Sequence, residues 1–191
     1  MIVSTDDPEI AQIARQHGAE VPFLRPSELA QDETPDLPVF QHALRWLQDQ
    51  EGYRPDLVVH LRPTTPTRRV ETMDQAIRLF ADHPEVDALR SVSPAHHSPY
   101  KMWLVSPDGL LEPVVRLRPD WEAANMPRQA LPQAYWGNGC VDVTRPSVIL
   151  GGSMTGRRIL AFVVEEPCVD IDQARDLDEA ARLLSVENPV R

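Results

Sequence analysis

Residues 57–66 read Leu57-Val58-Val59-His60-Leu61-Arg62-Pro63-Thr64-Thr65-Pro66, an apolar run that stops abruptly at a polar loop bracketed by prolines. An apolar run interrupted only by His60 is typical of a strand that is covered on both faces. The loop continues to Arg69 and leads into a predicted helix with one apolar face over residues 70–80. The loop therefore lies at the carboxyl end of a strand, where open α/β sheets bind ligands.

The chain on either side of this loop alternates between strand-like and helix-like patterns. Asp7-Pro8-Glu9 supplies a helix N-cap, a proline at the first helical position and a first-turn acid, and Ile10, Ile13 and Ala14 form an apolar stripe. This alternation indicates an α/β fold with a mostly parallel sheet. The predicted strands are Met1–Ser4, Glu20–Phe23, Leu57–Leu61, Ala88–Val92, Cys140–Val143 and Ile159–Val164, and another helix includes Phe40, Ala43, Leu44 and Leu47.

Residues 94–135 interrupt this alternation with irregular, proline-rich sequence. Two short apolar runs, Met102–Val105 and Leu110–Val115, flank Ser106-Pro107-Asp108-Gly109, and Asp-Gly between such runs predicts a β-hairpin. A hairpin inserted in an α/β sheet must bury its apolar face, and another subunit is a natural cover. We therefore predict a single domain over residues 1–191, with residues 94–135 as an insertion.

The most specific chemical motif is Asp170-Ile171-Asp172, between the last predicted strand and the last helix. In extended chain, residues i and i+2 project to the same side, so both carboxylates can reach one hard cation such as Mg²⁺. Such an ion would neutralise phosphate oxygens during nucleotidyl transfer. Alternatively, Asp172 and Asp176 cap turns and the last helix while Asp170 is solvated. Phosphatases of the haloacid dehalogenase type carry a similar motif on an early strand, so its late position here excludes them.

The last helix is predicted from a local pattern of its own. Asp176 and Glu179 fit a capping box at its start. Its predicted core face consists of Leu177, Ala180, Ala181 and Leu184.

The loop over residues 62–69 is the second candidate binding element. Its prolines stiffen the chain, its threonines offer hydroxyl groups, and its arginines can form bidentate contacts with a carboxylate or phosphate. The alternative is a plain connection whose threonines cap the following helix and whose arginines face solvent.

Hydrogen-bonding groups also concentrate ahead of Cys140, as Arg128-Gln129, Tyr135 and Asn138-Gly139. They are equally consistent with loop residues, with Asn138-Gly139 forming a tight turn. Without further information Lys101 is an exposed lysine of the hairpin. His96-His97 is treated as a loop feature, because no third metal ligand lies nearby in the sequence.

Composition excludes several classes of partner. The chain has 19 Lys and Arg against 29 Asp and Glu, a formal net charge of −10 that disfavours nucleic acid and anionic membranes. No run reaches the roughly 18 apolar residues of a membrane span, and no signal pattern follows Met1, so we expect a cytoplasmic protein.

Cys140 and Cys168 are too few for a disulfide framework or zinc site and are predicted to be small buried hydrophobes. Residues 151–156 are glycine-rich without the Gly-Lys-Ser/Thr ending of a phosphate loop, which predicts a turn.

Six strings in this chain occur in the order found in one known family, and together they run nearly from end to end. They are Val3-Ser4-Thr5-Asp6-Asp7; Arg25-Pro26-Ser27-Glu28-Leu29-Ala30-Gln31-Asp32; Arg62-Pro63-Thr64-Thr65-Pro66-Thr67-Arg68; Arg128-Gln129 with Leu131-Pro132; Asn138-Gly139; and Asp170-Ile171-Asp172. By these strings the chain resembles the acylneuraminate cytidylyltransferases, the CMP-sialic acid synthetases.

The resemblance implies a Rossmann-like, glycosyltransferase-A-like nucleotidyltransferase with a mixed, mostly parallel sheet. It implies a reaction that joins CTP to a nine-carbon α-keto acid sugar, giving the CMP-sugar and pyrophosphate for cell-surface polysaccharide biosynthesis. It also implies Mg²⁺ or another divalent cation, and a homodimer in which each hairpin extends to the other subunit's site. By motif position, Asp170 and Asp172 are the catalytic metal ligands, and the substrate-binding residues are Arg62, Lys101, Arg128, Gln129, Tyr135 and Asn138.

Two departures from the family keep alternatives open. Arg62 stands where the family usually has Gln, so the sugar could be neuraminic, legionaminic or pseudaminic acid, or another sialic-like acid. The family also has an earlier strand and a loop of the Pro-Ala-Arg-x-Gly-Ser-Lys type that grips the CTP phosphates, and we expect this chain to lack them. A truncated, non-catalytic relative that dimerises or binds sugar acids is therefore an alternative. A cytidylyltransferase for the eight-carbon sugar Kdo is disfavoured, because Pro-Thr-Thr-Pro resembles the sialic branch.

Overall fold

The computed structural model describes residues 1–117 and 122–187, and within them helices alternate with strands along the chain. The helices are α1 (Pro8–Gln16), α2 (Asp36–Glu51), α3 (Val70–Ala81), α4 (Pro146–Leu150) and α5 (Ala174–Glu187). The strands are β1 (Val58–His60), β2 (Ala88–Pro94), β3 (Trp103–Val105), β4 (Leu111–Pro113), β5 (Tyr135–Thr144) and β6 (Ile159–Val163). None of the helices in these residues is long and apolar enough to cross a membrane.

Four strands form one sheet in the order β1-β5-β2-β6, and β3 pairs with β4 in a separate two-stranded sheet. The predicted α/β class is confirmed. The prediction that Leu57–Leu61 is covered on both faces is wrong, since all three residues of β1 are half-buried. The physical reason is that β1 lies at the edge of the described sheet, where it has a neighbour on one side only.

The described chain divides into two compact units. The first comprises residues 1–60, 77–89 and 143–160, and the second comprises residues 61–76, 90–142 and 161–191. The prediction of one domain with an insertion at residues 94–135 stays a prediction. Residues 118–121 of that insertion, and residues 188–191, lie outside the described residues.

The start of the first unit follows the sequence prediction only in part. Asp7 caps α1, because its carboxylate accepts hydrogen bonds from the backbone N–H groups of Glu9 at 2.7 Å and Ile10 at 3.2 Å. The predicted apolar stripe is not a core face: Ile10 and Ile13 are half-exposed, and Ala11 is the buried residue of the helix. Helical periodicity identifies an apolar face but does not show what covers it.

The two strands predicted nearest the N-terminus, Met1–Ser4 and Glu20–Phe23, are reduced to an isolated β-bridge with two backbone hydrogen bonds. The structure contains one parallel bridge between Ile2 and Glu20 in place of two paired strands. The glycine-rich segment at residues 151–156 forms turns after α4, as predicted. A Cβ atom at Gly156 would lie 2.5 Å from the Cβ of Asp87, so close packing explains this glycine without any phosphate.

The second unit contains the predicted hairpin. β3 and β4 pair antiparallel with Trp103 opposite Pro113, Leu104 opposite Glu112 and Val105 opposite Leu111. Gly109 has the positive φ of +82° that the tight turn requires. The side chains of Leu104, Val105 and Leu111 are exposed. The hairpin prediction is confirmed, and its apolar side chains are not covered within the described chain.

The last helix differs from its prediction at both its start and its core face. α5 begins at Ala174, so Asp176 lies inside the first turn and accepts backbone hydrogen bonds from Asp172 at 3.1 Å and Gln173 at 2.8 Å. Asp176 therefore fills the acidic position of the capping box rather than its first position. Ala180 is buried whereas Leu177 is exposed, so the predicted core face is correct only at its centre.

Candidate active site

The loop that follows β1 is hydrogen-bonded to the segment that carries Asp170. The backbone N–H of Thr65 donates to the carbonyl of Arg62 at 3.2 Å, which closes a turn. Thr65 is completely buried, and its hydroxyl donates to the carboxylate of Asp170 at 3.3 Å. These bonds join two motifs that lie 105 residues apart in the sequence.

Two further hydrogen bonds hold the same segment against the loop. The backbone N–H of Ile171 donates to the carbonyl of Thr64 at 2.7 Å, and that of Val169 donates to the hydroxyl of Thr67 at 2.9 Å. The three threonines therefore bind the 169–171 segment. The alternative, in which they only cap the next helix, does not account for these contacts.

Asp170 and Asp172 lie on either side of the anchored Ile171. Asp170 is half-buried, whereas Asp172 is exposed. Backbone hydrogen bonds from Gln173 and then from Asp172 hold the pKa of Asp176 below its usual range, so Asp176 is an ionised cap beside the pair. No group of three or more His, Cys, Asp or Glu able to hold a metal occurs within residues 1–117 and 122–187. A cation here would have two carboxylates as its acidic ligands, which suits Mg²⁺ because it keeps several waters and binds substrate phosphates.

Gly139 brings β5 close to this loop. Its φ is +67°, and a Cβ atom there would lie 3.4 Å from Thr65 Oγ1, 3.6 Å from Asp170 Oδ2 and 3.8 Å from Arg62 Cδ. The positive φ within a strand marks a local distortion that favours glycine. Asn138 and Gly139 therefore belong to β5, and the alternative that they form a tight turn is wrong.

Asn138 is buried beside this glycine, at 1% exposure. Its side-chain amide donates to the hydroxyl of Ser93 at 2.9 Å, and its side-chain oxygen accepts from the backbone N–H of Cys140 at 3.1 Å. Both the nitrogen and the oxygen of the Asn138 amide are therefore hydrogen-bonded to protein groups, and the bond to Ser93 links β5 to β2. Its role as a substrate-binding residue stays a prediction.

The arginines of the loop contact protein groups rather than solvent alone. Arg62 Nη1 donates to Asp142 Oδ2 at 3.0 Å. Arg68 donates to the carbonyl of Arg62, and burial lowers the pKa of Arg68. Arg69 pairs with Glu166 at 3.7 Å. Asp142 was not identified as a candidate from the sequence, where it reads as one residue of a buried strand.

The two cysteines are free thiols in this same unit. Cys140 is buried and Cys168 is half-buried, in agreement with their predicted character. No sequence pattern predicts that they meet, yet a hydrogen bond between the two thiols lowers the pKa of Cys140 and raises that of Cys168. Their contact joins β5 to the segment that precedes Asp170.

A second feature of this unit is a cavity of about 410 Å³ with a cationic lining. The structure brings together Lys101 and Arg128, both predicted substrate-binding residues. Arg128 donates to the carbonyl of Ala95 at 3.4 Å. The residues that line the cavity are His96, His97, Ser98, Lys101, Met102 and Arg128.

The cavity includes residues that sequence reasoning set aside. His96 and His97 were treated as a loop feature, and their nearness to Lys101 in the sequence is the signal that could have identified them. The hydroxyl of Ser98 is buried with no hydrogen-bond partner in the described part of the chain. Gln129 and Tyr135 are exposed and are not part of the lining. Their substrate-binding roles stay predictions.

Comparison with known proteins finds similar proteins whose names agree with one another. No protein-family model matches the chain. Flagellin modification protein B of Campylobacter coli is 27% identical over 191 residues, covering 98% of this chain and 78% of that protein. The CMP-N,N'-diacetyllegionaminic acid synthase of Campylobacter jejuni is 29% identical over 192 residues, with the same two coverages. A pseudaminic acid cytidylyltransferase of Campylobacter jejuni is 34% identical over 80 residues, or 42% of this chain and 34% of that protein.

A solved structure shares the fold. The structure of a CMP:2-keto-3-deoxy-manno-octonic acid synthetase complexed with CTP matches with a TM-score of 0.66 at 16% identity, covering 98% of this chain and 81% of that one. At this identity the match concerns the fold alone, and it agrees with the predicted nucleotidyltransferase architecture. The ordered motifs, the relatives that match over almost the whole chain and the shared fold agree in one respect: this chain is similar to cytidylyltransferases of sialic-like sugars.

Proposed function

We propose that this protein is a cytidylyltransferase that activates a nine-carbon α-keto acid sugar with CTP. The anomeric hydroxyl of the sugar attacks the α-phosphorus of CTP, and the bond to the departing pyrophosphate breaks. The supporting observation is that the strand-end loop and the Asp170 segment, far apart in sequence, are hydrogen-bonded into one site. The names of the relatives, which include a CMP-N,N'-diacetyllegionaminic acid synthase and a pseudaminic acid cytidylyltransferase, support the same reaction class.

Asp170 and Asp172 would hold a divalent cation, with Mg²⁺ as the proposed ion. When bound, this ion supplies positive charge that offsets the charge on the phosphate oxygens. Thr65 fixes Asp170 through its hydroxyl, so one ligand is oriented before substrate arrives. The chain then contributes mainly positioning and electrostatic stabilisation, with no covalent intermediate on the protein.

The cationic cavity is the proposed site for the acid sugar. Lys101 and Arg128 can donate charge-assisted hydrogen bonds to a carboxylate, and His96 and His97 add donors at the same wall. Arg62 is not part of this lining; it is a third predicted sugar-binding cation, and its Cδ lies 3.8 Å from a Cβ position at Gly139, on the Asp170 side. This arrangement suits a sugar that carries both a carboxylate and several hydroxyl or amide groups.

A pyrophosphate-release assay tests the reaction. The protein would be incubated with CTP, Mg²⁺ and one of four sugars: N-acetylneuraminic acid, N,N'-diacetyllegionaminic acid, pseudaminic acid or Kdo. We expect CTP-dependent release with at least one nine-carbon acid, and slower release with Kdo. Absence of release with every sugar, while calorimetry still detects sugar binding, would favour the alternative of a non-catalytic sugar-binding relative.

We also propose that the protein is a cytoplasmic homodimer and that the hairpin contributes to the dimer interface. The cross-strand pairs Trp103–Pro113 and Val105–Leu111 share one apolar face, whereas Leu104–Glu112 lies on the other face. The apolar face is exposed in the single chain, and a second copy would cover it. We expect Val105→Glu combined with Leu111→Glu to shift sedimentation from dimer to monomer. Leu104→Glu is the matched control, and equal dissociation by both variants would contradict the assignment of this face.

A further inference from the structure

Asp142 is a buried carboxylate that neither the sequence motifs nor the proposed reaction uses. It lies in β5 at 8% exposure, and its Oδ2 accepts a hydrogen bond from Arg62 Nη1 at 3.0 Å. The Nε of Arg90 lies 3.9 Å from the same oxygen. A buried carboxylate needs such partners, because an uncompensated buried charge is strongly destabilising. Arg62 is its direct hydrogen-bond partner, and Arg90 is more distant.

The course of the Arg62 side chain connects Asp142 to the candidate active site. Its Cδ lies 3.8 Å from the Cβ position of Gly139, and Asp170 Oδ2 lies 3.6 Å from that same position. The aliphatic part of Arg62 and the carboxylate of Asp170 thus both lie close to Gly139, while the guanidinium of Arg62 reaches Asp142. The Arg62 side chain as a whole is half-buried.

Because a guanidinium is planar, the hydrogen bond from Arg62 to Asp142 restricts the orientation of the whole group. Arginine carries its five N–H donors in a rigid planar fork, so a hydrogen bond that fixes Nη1 also restricts the plane of the remaining donors. Such a fork suits a carboxylate, which it can contact through two parallel hydrogen bonds. A glutamine at this position would need no counter-charge, whereas a half-buried arginine does.

We infer that Asp142 is a positioning residue that holds Arg62 in the orientation in which it binds the carboxylate of the acid sugar. The inference rests on the proposed function. It adds Asp142 to the residues of the site and explains how Arg62 is oriented. Arg62 and Asp142 act as one unit, so the loss of either partner has the same effect on sugar binding. The CTP side of the reaction does not depend on the pair.

A double-mutant cycle tests this inference in the full chain. Kinetic constants would be measured for wild type, Asp142→Asn, Arg62→Gln and the double variant, with the sugar that gives the highest kcat/KM in the pyrophosphate assay. We expect each single variant to raise the KM for the sugar by about 10- to 30-fold, in line with the loss of a charge-assisted hydrogen bond. The double variant is expected to resemble Arg62→Gln within about twofold, because non-additivity is the signature of coupled residues. The KM for CTP should stay unchanged in all four proteins.

Matched variants separate positioning from a structural role. Asp142→Glu keeps the charge and is expected to restore part of the sugar affinity lost in Asp142→Asn. Glu166→Gln is the control, because it removes a carboxylate whose contacts are with Arg69 at 3.7 Å and Thr72 at 3.2 Å. It should leave the KM for the sugar within about twofold of wild type, even if the thermal midpoint falls.

The outcomes distinguish the inference from the proposed function. An active Asp142→Asn variant with an unchanged KM for the sugar, or strictly additive effects in the cycle, overturns the role of Asp142 alone. A folded wild type that releases no pyrophosphate with any sugar overturns the proposed function instead. If Asp142→Asn does not fold, Arg62→Lys replaces it, since lysine keeps the charge opposite Asp142 but lacks the planar fork. A rise in its sugar KM supports the inference, and an unchanged KM overturns it.

Discussion

The carboxylate site around Asp170 and the cationic cavity around Lys101 belong to the same unit but are built differently. At the carboxylate site, threonine hydroxyls and backbone groups fix the 169–171 segment through three hydrogen bonds of 2.7 to 3.3 Å. At the cavity, Arg128 makes one long bond to Ala95, and the hydroxyl of Ser98 has no partner within the described residues. Under the proposed function, the difference corresponds to a reaction centre that is organised in advance and a sugar pocket whose hydrogen bonds are completed by its ligand.

The largest expected effect comes from the carboxylate site itself. Replacing Asp172 by Asn keeps the shape of the side chain and removes one charge from the proposed cation site. We expect kcat to fall by about 100- to 1,000-fold, the range found when a preorganised electrostatic contact is removed. The Mg²⁺ concentration needed for half-maximal rate should also rise. Retained activity with an unchanged Mg²⁺ requirement would assign Asp172 to turn capping.

The cavity is expected to respond through binding rather than through turnover. Lys101→Met and Arg128→Met each remove a charged donor, so the KM for the sugar should rise by about 10- to 100-fold. The value of kcat should change by less than about threefold, because the reaction centre is untouched. Arg157→Met is a control for loss of surface charge, as Arg157 is exposed in the other unit. A fall in kcat with an unchanged KM for the sugar in either cavity variant would contradict the assignment of the cavity to binding and of the carboxylate site to turnover.

Gly139 tests how tightly the carboxylate site is organised. Gly139→Ala would impose backbone strain of roughly 1–2 kcal/mol at a positive φ and add a methyl group near Thr65 and Asp170. Gly109→Ala, in the hairpin turn, imposes comparable strain at φ +82° with no atom within 4 Å of the new Cβ. We expect both variants to lose similar stability in chemical denaturation, whereas only Gly139→Ala should lose activity, by about tenfold. Equal activity in both would show that the site tolerates displacement of β5.

The smallest effect compares two hydroxyl groups. Thr65→Ala removes a buried group that is hydrogen-bonded to Asp170, so we expect a loss of about 1 kcal/mol in the free energy of unfolding. Ser98→Ala removes a buried hydroxyl without a partner, so stability should be unchanged or slightly higher. If the sugar completes the bonding of Ser98, its KM should rise by a few-fold in this variant. Equal destabilisation by the two substitutions would contradict the difference between the regions.

Local patterns predicted much of the fold and of the carboxylate site. The Asp-Gly turn located the hairpin, and the end of the apolar run at Leu61 located the loop that contacts Asp170. Both signals come from neighbouring residues. The contact between Arg62 and Asp142 joins residues that are 80 positions apart, so no local pattern contains it.

Where the sequence predictions were wrong, the missing information concerned neighbours in space. The stripe of Ile10 and Ile13 has the correct helical spacing, but nothing in the described chain buries it. At the last helix, Asp176 belongs to the capping box but occupies its acidic position instead of its first one, and Glu179 is not part of it, because the helix begins at Ala174. His96 and His97 have no third metal ligand near them in the sequence, which is why the pattern predicts only a loop, whereas the cavity groups them with two cations.

The pairing of Arg62 with Asp142 has a consequence for how this protein could have diverged. Replacement of arginine by glutamine at position 62 leaves Asp142 with Arg90, 3.9 Å away, as a remaining counter-charge. Loss of Asp142 first leaves two guanidinium groups without their shared carboxylate. Natural variants with glutamine at position 62 and aspartate at position 142 should therefore outnumber variants with the opposite combination. The frequencies of the two residue combinations in related sequences would then show which of the positions, 62 or 142, can change first without loss of stability.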